Sequence, residues 1–305
     1  MPVEVEAALN LGPGQIVADC TLGGSGHARR ILSRIDPDGI LLGLDQDPDA
    51  IANARQVLAP WGDRVHLFQR NFVRLPETMT ELGITVLDGI LADLGLSLHH
   101  LEGSGRGFSF QRDEPLDMRM DPSQGPTAAD LIRSLSEDEI GRLLRDYGEE
   151  PRARAIARRI AEARRHTPIT TSGQLARLVA GMWSSAGRGR IHPATRVFMA
   201  LRIAVNRELE CLETFLKTAP GLLRPGGRLC VLAFHSLEDR IVKQQFKLLA
   251  HPCQCPPQLP RCICGRRPQV RPITRKPLRP TSEEVAVNPL ARSTRLRVVE
   301  RLATP

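Results

Sequence analysis

Short apolar runs separated by helical patterns fill the first third of the chain. Positions 16–19 (Ile16-Val17-Ala18-Asp19), 40–45 (Ile40-Leu41-Leu42-Gly43-Leu44-Asp45), 65–68 and 89–94 are almost wholly apolar, which predicts strands buried on both faces. Between the first two runs, a glycine turn leads into a helix through Ala28 to Ile35, and Asp36-Pro37-Asp38-Gly39 marks a turn. A second helix is expected over 48–58, with Pro48 in its first turn. Strands alternating with helices in this way predict βαβ units and a parallel sheet.

The rhythm breaks after the fourth strand. Residues 103–126 are rich in Gly, Pro and charge, the pattern of a long loop. Helical periodicity then runs from Thr127 to about Arg165, with Ser136 and Glu139 spaced as a capping box and Ile156, Ile160 and Ala163 on one stripe. It continues through Leu175, Leu178, Val179 and Met182, and one long helix is expected over 193–216. A strand returns at 228–234, followed by a helix with Ser236 as its N-cap, and 295–299 alternates like a last strand. The predicted fold class is α/β, a Rossmann-like doubly wound sheet built from 1–108 and 205–305, with an inserted helical domain over 109–204.

A chain of 305 residues buries an ample core, and 41% apolar with 25% charged residues excludes general disorder. No apolar run is long enough for a membrane helix. The first residues carry neither a basic leader pattern nor an Arg-rich transit pattern, and the seven cysteines are odd in number. The expectation is a protein of the reducing cytoplasm with no membrane partner. Only 11 residues are aromatic, which argues against RNA-binding modules built on rows of stacking rings. The formal charge is +8, and it is concentrated: ten basic residues from Arg240 to Arg279 lie in a stretch, 240–282, without one Asp or Glu. Such a stretch attracts a phosphate backbone through counterion release, the alternative being a solvated Pro-rich loop whose charge only aids solubility.

The candidate chemistry begins at Asp19-Cys20-Thr21-Leu22-Gly23-Gly24-Ser25-Gly26-His27, between a predicted strand and helix. A dinucleotide fingerprint starting at Gly24 needs Gly or Ala at position 29, where this chain has Arg29. An S-adenosylmethionine turn fits better, because it follows an acidic strand end, here Asp19, and has no pyrophosphate to hold. Asp45 lies 19 residues beyond Gly26 at the end of the second strand, where a carboxylate accepts both ribose hydroxyls; Asp47 is the better-placed cap for the next helix. Phe72 suits either an adenine ring or the core. Asp93 closes the fourth strand on the edge where open α/β sheets bind ligands, and a carboxylate there is costly to bury unless it is paired.

Together with Asp93-Leu94-Gly95, these residues are part of a longer pattern. It includes Arg106-Gly107-Phe108-Ser109-Phe110, Pro115-Leu116-Asp117-Met118-Arg119-Met120-Asp121, His192-Pro193-Ala194-Thr195-Arg196 and Phe234-His235-Ser236-Leu237-Glu238-Asp239-Arg240. Over essentially the whole chain it resembles the bacterial 16S ribosomal RNA (cytosine-N4)-methyltransferase family. The resemblance implies a class I methyltransferase domain with a helical insert, S-adenosyl-L-methionine as cofactor, and the small ribosomal subunit with its 16S rRNA as partner. It implies methyl transfer to N4 of a cytidine in the decoding region. Cofactor contacts carried over by position fall on Gly24, Ser25, Gly26, His27, Asp45, Phe72, Asp93 and His100. Two departures stand out: the family has two glycines before the turn histidine, where this chain has Ser25-Gly26, and His100 matches a family Gln. Whether two copies pair as a homodimer is left open by the sequence.

The N4 amine is a poor nucleophile, so catalysis rests on placing it against the donor methyl, helped by an acceptor for its hydrogen. Asp93-Leu94-Gly95-Leu96 lacks the proline pair and aromatic that many amino-methyltransferases carry. Asp93 is therefore the candidate between cofactor and amine, with His235 or Ser236 helping to hold the base; for His235 a capping role competes. A flipped base needs a wall, for which Phe108, Phe110, Asp117 and Arg119 are candidates, and Arg196 is a candidate RNA contact with an internal salt bridge as its competitor. Cys253, Cys255, Cys262 and Cys264 are four thiols in two C-x-C pairs, tighter than the usual zinc spacing; reduced thiols are the default and no metal is assigned, with a four-cysteine zinc site as the alternative. A methyltransferase acting on DNA or small molecules and a non-catalytic RNA binder are the competing classes; the basic stretch opposes the first and the intact turn the second.

Overall fold

A computed structural model describes residues 1–182, 192–253, 255–256 and 263–303. The chain divides into two compact units, Met1–Gly95 with Leu209–Pro305, and Leu96–Glu208. The sequence reading placed those switch points at 108/109 and 204/205, so the structure assigns the residues around Arg106-Gly107-Phe108 to the second unit.

The first unit is a seven-stranded sheet. Its strands are β1 (Ile16–Asp19), β2 (Ile40–Asp45), β3 (Val65–Gln69), β4 (Leu87–Asp93), β5 (Leu223–Ala233), β6 (Val270–Pro272) and β7 (Arg295–Arg301), in the order β3-β2-β1-β4-β5-β7-β6. The first five are parallel, while β7 runs antiparallel between β5 and β6. Successive strand residues point to opposite faces, and here both faces are apolar. Ala18, Leu42, Ile90, Leu229 and Val231 join one core cluster, with Leu212 and Phe215 of α11 (Glu208–Leu222) and Val242 and Phe246 of α12 (Ser236–Ala250). Val17, Leu41, Leu91, Cys230 and Leu232 join the other, with Val5 and Leu9 of α1 (Pro2–Leu9), Ile31 and Leu32 of α2 (Gly26–Ile35) and Ile51 of α3 (Pro48–Val57). This two-sided burial is why the strands read as unbroken apolar runs.

The short α4 (Leu75–Glu81) completes the α/β part before β4. The second unit is helical: α5 (Leu98–Glu102), α6 (Ala128–Ser134), α7 (Glu137–Asp146), α8 (Ala153–His166), α9 (Ser172–Ala180) and α10 (Ala194–Asn206). It has its own core, with Ile132, Ile140, Leu144, Ile156, Ile160, Leu175, Val197 and Leu201 among the buried residues. The α7 start is capped as its sequence predicts: Ser136 Oγ accepts from Glu139 N–H at 3.3 Å while Glu139 Oε2 accepts from Ser136 N–H at 2.8 Å. The single helix expected over 193–216 is in fact two, because Arg207 adopts a left-handed backbone with φ +50° between α10 and α11. Asn206, just before that break, donates from Nδ2 to Met118 O and accepts at Oδ1 from Met120 N–H, both at 2.8 Å, which ties down the loop that the sequence left without regular structure.

Candidate active site

Because β2, β1 and β4 are parallel neighbours, their last residues, Asp45, Asp19 and Asp93, gather at the carboxyl edge of the sheet, Asp19 level with Gly43 and Leu91 and the other two acids two residues beyond. Asp19 is fully buried. Burial pushes its carboxyl well above the usual range, Thr21 N–H opposes that shift, and the Asp93 and Asp45 charges add to it. The Asp93 carboxyl is likewise pushed up, to about 6, chiefly by burial and further by Glu238. Three carboxylates crowded at one edge repel one another, so the arrangement favours a cationic ligand.

The turn after β1 is laced to these ends. Asp19 Oδ1 accepts from Thr21 N–H at 3.2 Å, and Thr21 Oγ1 accepts from Asp93 N–H at 2.6 Å, which couples the tips of β1 and β4. Asp45 accepts from Gly23 N–H at Oδ2 and from Asp47 N–H at Oδ1, both at 2.9 Å. Asp47, not Asp45, caps α3, accepting from Asp49 N–H at 3.0 Å. Sequence reasoning gave Thr21 and Gly23 no role; the Asp-x-Thr spacing, which lets a carboxylate reach the amide two residues on, was the available signal.

Ser25 caps α2 with a left-handed backbone, φ +61°, and its side chain is fully buried with no hydrogen-bond partner for Oγ. On either side, Gly24 and Gly26 face open space where a side chain would stand. His27 Nε2 is 3.7 Å from Asp93 Oδ2, and burial lowers the imidazole to about 4, so it is neutral near pH 7. Gly95 sits so close to the Phe234 ring that a Cβ would approach to 2.6 Å, which explains a glycine after Asp93-Leu94.

The remaining candidates divide. His235, not Ser236, is the N-cap of α12: its Nδ1 accepts from Glu238 N–H at 3.4 Å, and Glu238 Oε2 accepts from Phe234 N–H at 2.8 Å and His235 N–H at 3.3 Å. A carboxylate reaching back to two amides fixes the helix start one residue earlier than the serine suggested, leaving Ser236 as the first helical residue. Phe72 packs edge-to-face on Phe215, ring centroids 5.1 Å apart, at the margin of the core.

His100 belongs to the second unit, buried, with Nδ1 3.0 Å from Ser97 Oγ and its ring 4.9 Å from that of Phe108. Phe108 is a core residue rather than an open wall, 6% exposed under the Arg106 guanidinium. Phe110 stacks on His192 at 4.4 Å and meets Phe198 edge-on. Arg119 forms a two-pronged pair with Asp117, at 2.8 and 2.7 Å. Although burial pushes the Asp117 carboxyl up, Arg119 holds it below its usual range. Arg196 is 47% exposed and lies 4.0 Å from the Glu150 carboxylate.

S-adenosylmethionine carries a sulfonium, an ammonium and a ribose diol, and the edge meets each need. Acidic groups crowd it, the glycine turn is open above Gly24 and Gly26, and three buried polar atoms, Asp19 Oδ2, Asp93 Oδ1 and Ser25 Oγ, have no partner within the protein. Buried polar atoms are rarely left unpaired without a ligand to satisfy them. A doubly wound sheet with such a turn at its first strand end is a class I S-adenosylmethionine-dependent methyltransferase.

Sequence comparison narrows the class. The model of the MraW methylase family matches residues 1–302, and the chain belongs to that family. Ribosomal RNA small subunit methyltransferase H of Desulfosudis oleivorans is 55% identical over 304 residues, covering 99% of this chain and 97% of the relative. The proteins of the same name from Desulforapulum autotrophicum and Geotalea daltonii are 51% and 52% identical, again over 99% of this chain and 97% of theirs. Among the described residues, no helix is long and apolar enough to cross a membrane.

Proposed function

We propose that this chain methylates N4 of a cytidine in the decoding region of 16S rRNA, on the small ribosomal subunit in the cytoplasm, with S-adenosyl-L-methionine as donor. The observation that carries the reading is the row of strand-end acids, Asp45, Asp19 and Asp93, around an open glycine turn. It occurs in a chain about half identical to proteins named ribosomal RNA small subunit methyltransferase H. Gly24, Ser25, Gly26, His27 and Asp45 hold the cofactor, with Phe72 beside it. Bound there, the cofactor supplies an electrophilic methyl group.

The chain's own part is to place and deprotonate. Asp93 accepts a hydrogen bond from the exocyclic amine, which aligns the nitrogen lone pair and later helps remove its proton. His235 fixes the start of α12, and Ser236 at that start helps to hold the base. Phe110, stacked on His192, offers an aromatic surface to RNA; Asp117 and Arg119 order the loop that carries it, and Arg196 contacts phosphate. Lys243, Lys247, Arg266, Arg267, Arg275, Lys276 and Arg279 are all exposed and supply the non-specific attraction.

The test has two parts. Titration with S-adenosylmethionine should show saturable binding, and labelled methyl groups should pass to small subunits or their RNA and not to duplex DNA. Binding without transfer would leave a non-catalytic RNA binder, and transfer to DNA would move the enzyme to another substrate class.

A further inference from the structure

The segment between α12 and β6 contains a cluster that the methyl-transfer reading does not use. The sulfur atoms of Cys253, Cys255 and Cys264 all lie within 4.8 Å of one another. Cys253 is exposed and the other two are partly buried, so apolar packing does not account for their convergence. We propose that Cys253, Cys255 and Cys264 bind a zinc ion that braces this segment.

Geometry selects among the soft metals that thiolates accept. Around one tetrahedral ion with Zn–S bonds of about 2.3 Å, neighbouring sulfurs are about 3.8 Å apart, within the observed limit. Cysteines bound to different irons of a cluster stand farther apart. The surroundings suit thiolates as well. No Asp or Glu occurs between Arg240 and Ser282, so carboxylates of that stretch do not compete for the ion, while Arg266 and Arg267 follow Cys264 closely and offset the negative charge of a thiolate site. Binding releases one proton from each thiol that becomes a thiolate.

The physical need is local. Ile263 is 79% exposed, and the stretch has prolines in place of a hydrophobic stripe, so it has little apolar surface to bury. Its end is held by Gln269 N–H donating to Leu249 O at 2.9 Å and Leu302 N–H donating to Gln269 O at 3.0 Å. A metal cross-link supplies what apolar burial cannot, and it fixes the positions from which Arg266 and Arg267 project.

The test uses the full chain, expressed and purified under reducing conditions without chelator. Elemental analysis should find about one zinc per chain, and cobalt substitution should give the intense visible bands of tetrahedral thiolate coordination. Zinc should fall at least tenfold in Cys253→Ser/Cys255→Ser and in Cys264→Ser, and stay unchanged in Cys211→Ser. Limited proteolysis should cut within 251–269 in the first two proteins and in chelated wild type, with the rest of the chain intact. Iron with a visible chromophore would overturn the proposal, as would a disulfide among these cysteines in place of metal. Failure of the reduced protein to take up added zinc would overturn it too. None of these readouts depends on methyl transfer, so the metal site and the proposed reaction fail separately.

Discussion

Ser25 is a position where stability and cofactor binding should move in opposite directions. Its backbone is left-handed, φ +61°, and its buried hydroxyl has no partner within the protein. A left-handed conformation costs a non-glycine residue about 1–2 kcal/mol, and an unsatisfied buried hydroxyl about 1–3 kcal/mol. Glycine removes both but gives back about 0.5–1 kcal/mol through the larger entropy of its unfolded chain. Allowing for packing lost with Cβ, Ser25→Gly should stabilise the cofactor-free protein by about 1–2 kcal/mol, a rise in Tm of roughly 2–6 °C. If the hydroxyl is kept for the cofactor, the same change removes a hydrogen bond to a polar or charged group. Affinity should then fall about tenfold, which corresponds to about 1.4 kcal/mol. Ser25→Ala separates the two contributions, since it keeps the backbone conformation and loses only the hydroxyl: it should gain less stability and lose the same affinity. Thermal melts without cofactor, paired with calorimetric titration of S-adenosylmethionine, measure both quantities. A glycine variant that is less stable than wild type, or that binds the cofactor equally well, would refute the reasoning.

Methyl transfer should rise with pH through about 6, where the raised Asp93 carboxyl ionises, and Asp93→Asn should lose about 10²–10⁴-fold in turnover along with that limb of a pH–rate profile. Folded Asp93 holds its proton to about 6 while an unfolded Asp releases it near 3.8. Its contribution to stability therefore falls as pH rises between those values, and urea denaturation across pH should show Asp93→Asn without that fall. Asn206→Ala removes the bonds to Met118 O and Met120 N–H, and should destabilise the protein by about 2–3 kcal/mol in chemical denaturation and open residues 103–126 to proteolysis. Asp239 accepts from the buried Arg297 at 2.7 Å and from Arg295 at 2.8 Å; Asp239→Ala should cost about 3–5 kcal/mol, and adding Arg297→Met should recover part of it. Replacing Arg266, Arg267 and Arg275 with Gln should lower the slope of log affinity for RNA against log salt by about 2–3, leaving cofactor affinity unchanged.

The sheet was legible because burial on both faces makes a strand an apolar run, and β1 and β2 begin and end where those runs do. The edge strand β6 was not, since three residues ending in Pro272 carry no period to detect. The break at Arg207 was hidden for another reason. Arginine has no bias toward a left-handed backbone, and the apolar stripe of α10 continues into α11, so only tertiary bonds, such as those of Asn206 to Met118 and Met120, mark the end of α10. At the site, the acids could be found from their places at the ends of apolar strands. The conformation of Ser25 was harder to find, because serine is also an ordinary helix cap; the one signal was the glycine that the family pattern has at this position. Ser236 was read as the cap for the same reason, and Glu238 decided the matter by reaching back to the amides of Phe234 and His235.

These cases bear on how a site acid should be weighed against a structural one. Asp45 looks structural if its bonds are counted, for both oxygens accept backbone amides, Gly23 on one side and Asp47 on the other. Yet those amide bonds also fix the carboxylate in direction, which is what a diol acceptor needs. Thr21 does the same for β4, orienting the Asp93 backbone through its hydroxyl while the Asp93 Oδ1 atom stays unpaired. Structural bonds at such a site are therefore part of its chemistry. The telling observation is which polar atoms remain unsatisfied once they are made, and Asp19 Oδ2, Ser25 Oγ and Asp93 Oδ1 are such atoms, at the end of β1, in the turn that follows it and at the end of β4.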